Sequence, residues 1–290
     1  APEVTPEGDL LVPDMRMPRG GRYFDVMKGS DLFDLPDLRS LDPASYVSPP
    51  LDSAYLEQER ARFAALYAAT DRALVTRADF SLPVGYMAPF AWGIYMLEEP
   101  EPCRRIILAQ AEAEAGRARQ WLEAVGEYVS VAAVGGVDWG MQDREAVLPD
   151  LFREIVAPGW KIVNDVVHAV STVKTWYHCC GSVSRIIPAM VDAGLDCLNP
   201  VQWSAANMDP RWLKESFGDR VVFWGGAINT QHTFPHGTPE EVAREARQIL
   251  DIFAPGGGYV VNPIHNTQAD VPVENIIALY DTALAYRYSD

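Results

Sequence analysis

At 290 residues, 48% of them hydrophobic, the chain can bury one large core or two smaller ones. A formal net charge of −16 argues against nucleic acid and anionic membrane as partners, because either needs a basic footprint; a small anionic ligand needs only a locally positive pocket. No apolar run reaches the length of a bilayer span, the N-terminal Ala1-Pro-Glu-Val does not read as a signal peptide, and four cysteines do not make a disulfide framework, so a reducing cytoplasmic setting is expected.

Residues 1–55 are rich in Pro, Gly and Asp and show little periodicity, which predicts an irregular or hairpin-containing lead-in. The remainder, 56–290, reads as one repeating domain. A helix over 53–70 precedes the strand-like run 73–80. A long amphipathic helix, 102–125, leads to a strand over 129–134, and a helix over 149–170 leads to a strand over 173–180. Helix 183–193 leads to strand 196–202, and helix 209–217 to strand 220–224. Helix 239–253 opens on Thr238-Pro-Glu-Glu241, a capping box with proline at the first helical position. A strand over 258–262 and a helix over 272–286 complete the pattern.

Short apolar strands alternating with helices of ten or more residues predict a parallel sheet covered by helices, an α/β fold. Six such strands are visible, whereas a closed (β/α)8 TIM barrel needs eight. Either two strands lie within the first 55 residues or the first one or two barrel strands are absent from this chain. An open doubly wound sheet is the alternative, but no Gly-x-Gly-x-x-Gly follows a strand to support its dinucleotide-binding form.

Chemistry-capable side chains gather where the strands end, which is where barrel active sites are built. Asp138 and Trp139 follow the second visible strand, His178-Cys-Cys180 the third, and Asn199 to Gln202 the fourth. Gly225-Gly226 and Gln231 follow the fifth, which ends at Trp224, and Asn262 and His265 follow the sixth. On a strand, residues two apart share a face, so His178 and Cys180 project together while Cys179 points away, an arrangement that supplies half of a zinc site. Blander readings apply elsewhere: Asp138 could cap a loop or helix, Cys197 and Cys103 are core-type thiols, and His168 sits in an amphipathic helix. His232 and His236 flank Phe234-Pro235 in a loop, as surface histidines commonly do.

Several of these segments, in this order, resemble the uroporphyrinogen decarboxylase superfamily. They are Asp138-Trp-Gly-Met-Gln142, His178-Cys-Cys-Gly-Ser182, Ala193-Gly-Leu-Asp-Cys-Leu-Asn-Pro-Val-Gln202, Phe223-Trp-Gly-Gly226, Pro255 to His265 and Asp270-Val-Pro-Val-Glu-Asn275. The resemblance covers about residues 60–290 and implies a (β/α)8 barrel with its active-site cleft at the strand C-termini. It implies one of two activities. Decarboxylase members remove carboxyl groups from a porphyrinogen without a cofactor. Methyltransferase members move a methyl group between a small substrate or thiol and a corrinoid protein, using zinc held by His-x-Cys and a later cysteine.

His178 and Cys180 match the first two zinc ligands of the methyltransferase members, while no cysteine follows Cys197 and His265 stands in the corresponding region. A histidine can also ligate zinc, so His178, Cys180 and His265 form a chemically reasonable metal set. By the same resemblance Asp138 joins them as a catalytic residue. Gln202, Gln231 and Asn262 would bind substrate, with Trp139, Trp203 and Trp224 as aromatic walls. Met15-Arg-Met-Pro-Arg-Gly-Gly-Arg-Tyr-Phe24 looks like a segment that long methyltransferase-like members carry after their first barrel strands, which implies that roughly two strands precede it in the fold.

The favoured expectation is a zinc-dependent methyltransferase acting on a small molecule together with a corrinoid (cobalamin) protein, with a homodimer as one form of assembly. The competing enzyme reading is a metal-free decarboxylase in which Asp138 holds pyrrole N–H groups. A third reading is a non-catalytic member that binds a tetrapyrrole or a corrinoid protein.

Overall fold

A computed structural model describes residues 3–12, 15–21, 25–26, 42–85 and 89–286. Four short strands, β1 (Glu3–Val4), β2 (Leu10–Val12), β3 (Met15–Met17) and β4 (Asp25–Val26), pair antiparallel in chain order. The carboxylate of Asp9 accepts hydrogen bonds from the Arg16 guanidinium and from the Arg19 backbone N–H at 2.7 Å, which ties this meander together. None of these strands joins the parallel sheet, so they are not the two barrel strands considered above. Residues 22–24 of the Met15 segment lie outside the described residues.

The second sheet holds six strands: β5 (Val75–Arg77), β6 (Val131–Gly136), β7 (Lys174–His178), β8 (Cys197–Asn199), β9 (Val222–Trp224) and β10 (Tyr259–Val260). Every pairing is parallel and neighbours follow chain order from β5 to β10. A doubly wound sheet would reverse its strand order at a switch point. Unbroken sequential winding with helical crossovers is TIM-barrel-like instead. Among the described residues the outer edges of β5 and β10 do not pair with each other.

The helices are α1 (Ser53–Ala68), α2 (Pro89–Glu98), α3 (Pro100–Val125), α4 (Pro149–Leu151), α5 (Ala157–Val170), α6 (Ile187–Asp192), α7 (Pro210–Phe217), α8 (Thr233–His236), α9 (Pro239–Phe253) and α10 (Val273–Ala285). A π-helical turn, Phe152–Val156, links α4 to α5. Helix starts follow local chemistry. Asp52 accepts from the Tyr55 N–H and Asp209 from the Trp212 N–H, both at 2.9 Å, and the Thr238/Glu241 capping box closes as read from sequence. Helix α6 starts later than expected because a turn over residues 184–186, closed by the Ile186 N–H on the Val183 carbonyl at 2.9 Å, occupies the start of the segment. Helix α2 was not foreseen: its nearly continuous apolar run carries no period that separates helix from strand.

The two faces of the parallel sheet differ sharply. Ala132, Val134, Tyr177 and Phe223 are fully buried on the helix-covered face. There Tyr177 packs on Trp160 of α5 at 4.4 Å between ring centroids, and Phe223 on Phe253 of α9 at 5.1 Å. Alternation along the strands places Trp176, His178 and Trp224 on the opposite, half-buried face. At typical burial values each buried aromatic contributes roughly 2–3 kcal/mol, which makes the helix side the seat of stability and leaves the other face available for chemistry.

Candidate functional site

The loops that follow β6 and β7 meet backbone to backbone. Gly181 has φ of +87°, and a Cβ there would fall 2.5 Å from the Gly140 carbonyl carbon, so only glycine fits. The Ser182 N–H donates to the Met141 carbonyl at 2.7 Å and seals the contact. This junction brings Asp138 over the end of β7, where its Oδ1 accepts the Cys180 backbone N–H at 2.8 Å.

Alternation beyond β7 runs as the sequence implied. Cys179 is fully buried, and its Sγ accepts the Trp139 backbone N–H at 3.2 Å. His178 and Cys180 share the other face, with Nε2 and Sγ 3.3 Å apart. The same Nε2 lies 3.8 Å from Asp138 Oδ1. His178 Nδ1 is 2.8 Å from Asn199 Oδ1, the side chain opposite it in register on β8. His265 reaches the cluster from the segment after β10, its ring centroid 6.3 Å from that of His178. One potential ligand atom each from His178, Cys180 and His265 lies within 4.8 Å of the other two.

Burial, followed by the negative charge of Asp138, pushes the Cys180 thiol up to about 12. The thiol is therefore protonated at neutral pH until a cation beside it offsets both effects. All four cysteines are free.

A cavity of about 610 Å³ opens at this cluster, with Asp138, Cys180, His265, Gln142, Gln202 and Gln231 among its lining residues. Gln202 is nearly buried and already engaged: its Oε1 accepts the Gly181 N–H at 2.7 Å and its Nε2 donates to Gln142 Oε1 at 3.2 Å. It shapes the turn that presents Cys180. Gln231 is exposed at the cavity wall. The structure does not bring every expected residue here. Trp139 is completely buried, packed on Phe152 with its indole N–H donated to Tyr177 Oη, so it is a core residue and not an aromatic wall. Trp224 is half-buried against Trp176, and Asn262 Nδ2 turns to the Pro263 carbonyl; neither lines the cavity. Trp203 is held by its indole N–H to the Gly226 carbonyl at 2.7 Å.

Gln142, Thr230, Asn266, Gln268 and Asp270, none of them singled out from sequence as site residues, also line the cavity. Polar residues in strand-to-helix loops carry no periodic signal that singles them out. His236, read as a surface histidine, also lines the cavity, from the short helix α8. His168, by contrast, is structural as expected, its Nε2 2.9 Å from Asp196 Oδ2.

The TIM-barrel-like sheet gathers acid, thiol and imidazole groups at its strand ends, the end of this fold at which barrel active sites are built. The family model described as Uroporphyrinogen decarboxylase (URO-D) matches residues 48–286, and the chain belongs to this family. Similar curated proteins include a uroporphyrinogen decarboxylase of Psychromonas ingrahamii, 32% identical over 104 residues that make up 34% of this chain and 27% of the relative. A methionine synthase of Saccharolobus islandicus is 30% identical over 103 residues, 36% of this chain and 30% of the relative. These matches span less than a third of either relative's length. Among solved structures, a methyltransferase from Methanosarcina mazei superposes with a TM-score of 0.54 at 17% identity, covering 78% of this chain and 61% of that one. That likeness establishes the fold they share. Known members of the family are enzymes, both decarboxylases and methyltransferases.

Proposed function

We propose that the chain is a methyltransferase that moves a methyl group between a small methylated substrate or thiol and a corrinoid carried by a partner protein. The observation that carries this reading is the His178, Cys180 and His265 cluster at the strand ends. Its donor set suits zinc. Bonds of about 2.0 Å to nitrogen and 2.3 Å to sulfur at tetrahedral angles separate such a pair by about 3.5 Å. His178 Nε2 and Cys180 Sγ already stand 3.3 Å apart. Zinc bound by these residues would serve as a Lewis acid for a substrate oxygen or sulfur, or would favour the thiolate form of a bound thiol.

The chain's own residues do the rest. Asp138 fixes the Cys180 backbone and turns its carboxylate toward the cavity, where it accepts a hydrogen from the bound substrate. Gln231 orients that substrate, and Gln202 with Gln142 keeps the Cys180 loop in place. No helix among the described residues is long and apolar enough to cross a membrane.

The test is to load the protein with zinc, supply reduced cobalamin and a panel of O-, N- and S-methylated donors, and follow methylcobalamin by absorbance. Formation that is lost in Cys180→Ala supports the proposal. The decarboxylase relatives favour a second reading, in which Asp138 holds pyrrole N–H groups and His265 lies near the carboxylates. Conversion of uroporphyrinogen to coproporphyrinogen by metal-free protein would establish that reading and refute the first.

A further inference from the structure

The side chain that holds His178 from behind decides which ring nitrogen is free. Asn199 is 6% exposed and sits opposite His178 in the β7–β8 register. Its Nδ2 donates to the Trp224 backbone carbonyl at 3.0 Å. A carbonyl oxygen only accepts, so this contact fixes which end of the amide is NH2 and which is oxygen. Gly225 gives the arrangement room: a Cβ there would stand 3.3 Å from Asn199 Nδ2. The oxygen, Oδ1, therefore faces His178 Nδ1 at 2.8 Å. It too can only accept, so Nδ1 must carry the hydrogen. A neutral imidazole has a single N–H, and Nε2 is left with its lone pair. That lone pair is on the atom 3.3 Å from Cys180 Sγ.

We infer that Asn199 is a positioning residue: wedged between the Trp224 carbonyl and the His178 ring, it holds His178 in the Nδ1–H form and presents a bare Nε2 to the Cys180 and His265 cluster. The consequence for metal rests on the zinc reading above, whereas the tautomer itself does not. Partners behind a metal-ligating histidine commonly affect metal affinity by about 10–100-fold, because they fix both ring orientation and the free nitrogen.

The experiment reads the tautomer directly in metal-free protein. Long-range 1H–15N correlation spectra of histidine-labelled protein are recorded at about pH 8.5, where a free imidazole is neutral. His178 is assigned by the signal lost in His178→Gln. The expected result is a protonated Nδ1 and an unprotonated Nε2. Asn199→Leu, which removes the acceptor, should release the ring to a mixture of tautomers and weaken zinc binding about 10–100-fold in competition with a chromophoric chelator. Asn199→Asp keeps an acceptor and should restore the Nδ1–H form and most of the affinity. An Nε2–H signal for His178 in the wild-type protein overturns the inference, whether or not the Leu variant folds. An Nδ1–H signal in a protein that binds no zinc supports the inference and sinks the zinc reading.

Discussion

Cys179 and Cys180 are adjacent in sequence but should behave as unrelated residues, and the difference can be worked out from their surroundings. Cys179 is fully buried, and its sulfur accepts the Trp139 backbone N–H. Cys179→Ala removes a buried sulfur, costing about 1 kcal/mol in packing, and orphans a buried N–H at about 1–3 kcal/mol. The sum is about 2–4 kcal/mol. For 290 residues the unfolding entropy is roughly 0.6 kcal/mol/K, so the melting temperature should fall by about 3–7 °C. Cys180 is half-buried, and its backbone N–H stays with Asp138 when the thiol is removed. Cys180→Ala should therefore cost less than about 1 kcal/mol in metal-free protein. Thermal melts are run with a chelator present, because bound metal would itself stabilise the wild type. Zinc binding is then measured on the same samples. Cys179→Ala should melt early and keep zinc, and Cys180→Ala should melt normally and lose it. The opposite pattern, or equal destabilisation with zinc retained by both, refutes the assignment of faces around β7.

Other consequences follow from the same geometry. Gly181→Ala forces a side chain into a positive-φ position against the Gly140 carbonyl, and should cost about 3 kcal/mol or more; an unchanged melting curve would contradict the backbone contact between the two loops. Asp196 is largely buried, which alone would raise its pKa. Hydrogen bonds from His168, the Thr175 backbone and Lys174 outweigh this and hold the carboxyl below its ordinary value of 3.8. Because its folded pKa is depressed, its contribution is fully present above the unfolded pKa and is lost as pH falls through the folded one. Asp196→Ala should thus cost about 2–3 kcal/mol at neutral pH by urea unfolding. The gap from wild type should narrow as pH falls below about 4, where the carboxylate is protonated; a gap undiminished at about pH 2 would refute the network.

How far the sequence revealed the fold depended on whether a feature repeats. Six parallel strands and the long helices were legible because apolar runs and caps recur with a fixed period; the Thr238 box even placed the start of α9. Helix α2 was illegible because uniform hydrophobicity has no phase. Within the site, period-two alternation separated Cys179 from Cys180. It could not place Trp139, since the chain bends through Gly135 and Gly136 before reaching it and the register of β6 against β7 shifts there. Trp139 consequently turns into the core beside Tyr177. The approach of His265 to His178 and Cys180 was suggested by resemblance alone, because loop residues 85 or more positions apart meet only through the winding of the sheet. Asn199 was visible as a strand-end residue, but its hold on His178 depends on the β7–β8 register, which no single strand encodes.

The occupancy of the His178, Cys180 and His265 cluster can be read from metal stoichiometry. Protein purified without chelator is dialysed against zinc, freed of excess, and analysed by inductively coupled plasma mass spectrometry beside His178→Ala, Cys180→Ala and His265→Ala variants shown by circular dichroism to be folded. About one zinc per wild-type chain is expected, at the donor cluster of His178, Cys180 and His265, with a large loss in each variant. A wild-type chain that binds no zinc, or three variants that bind it as well as wild type does, would contradict the account.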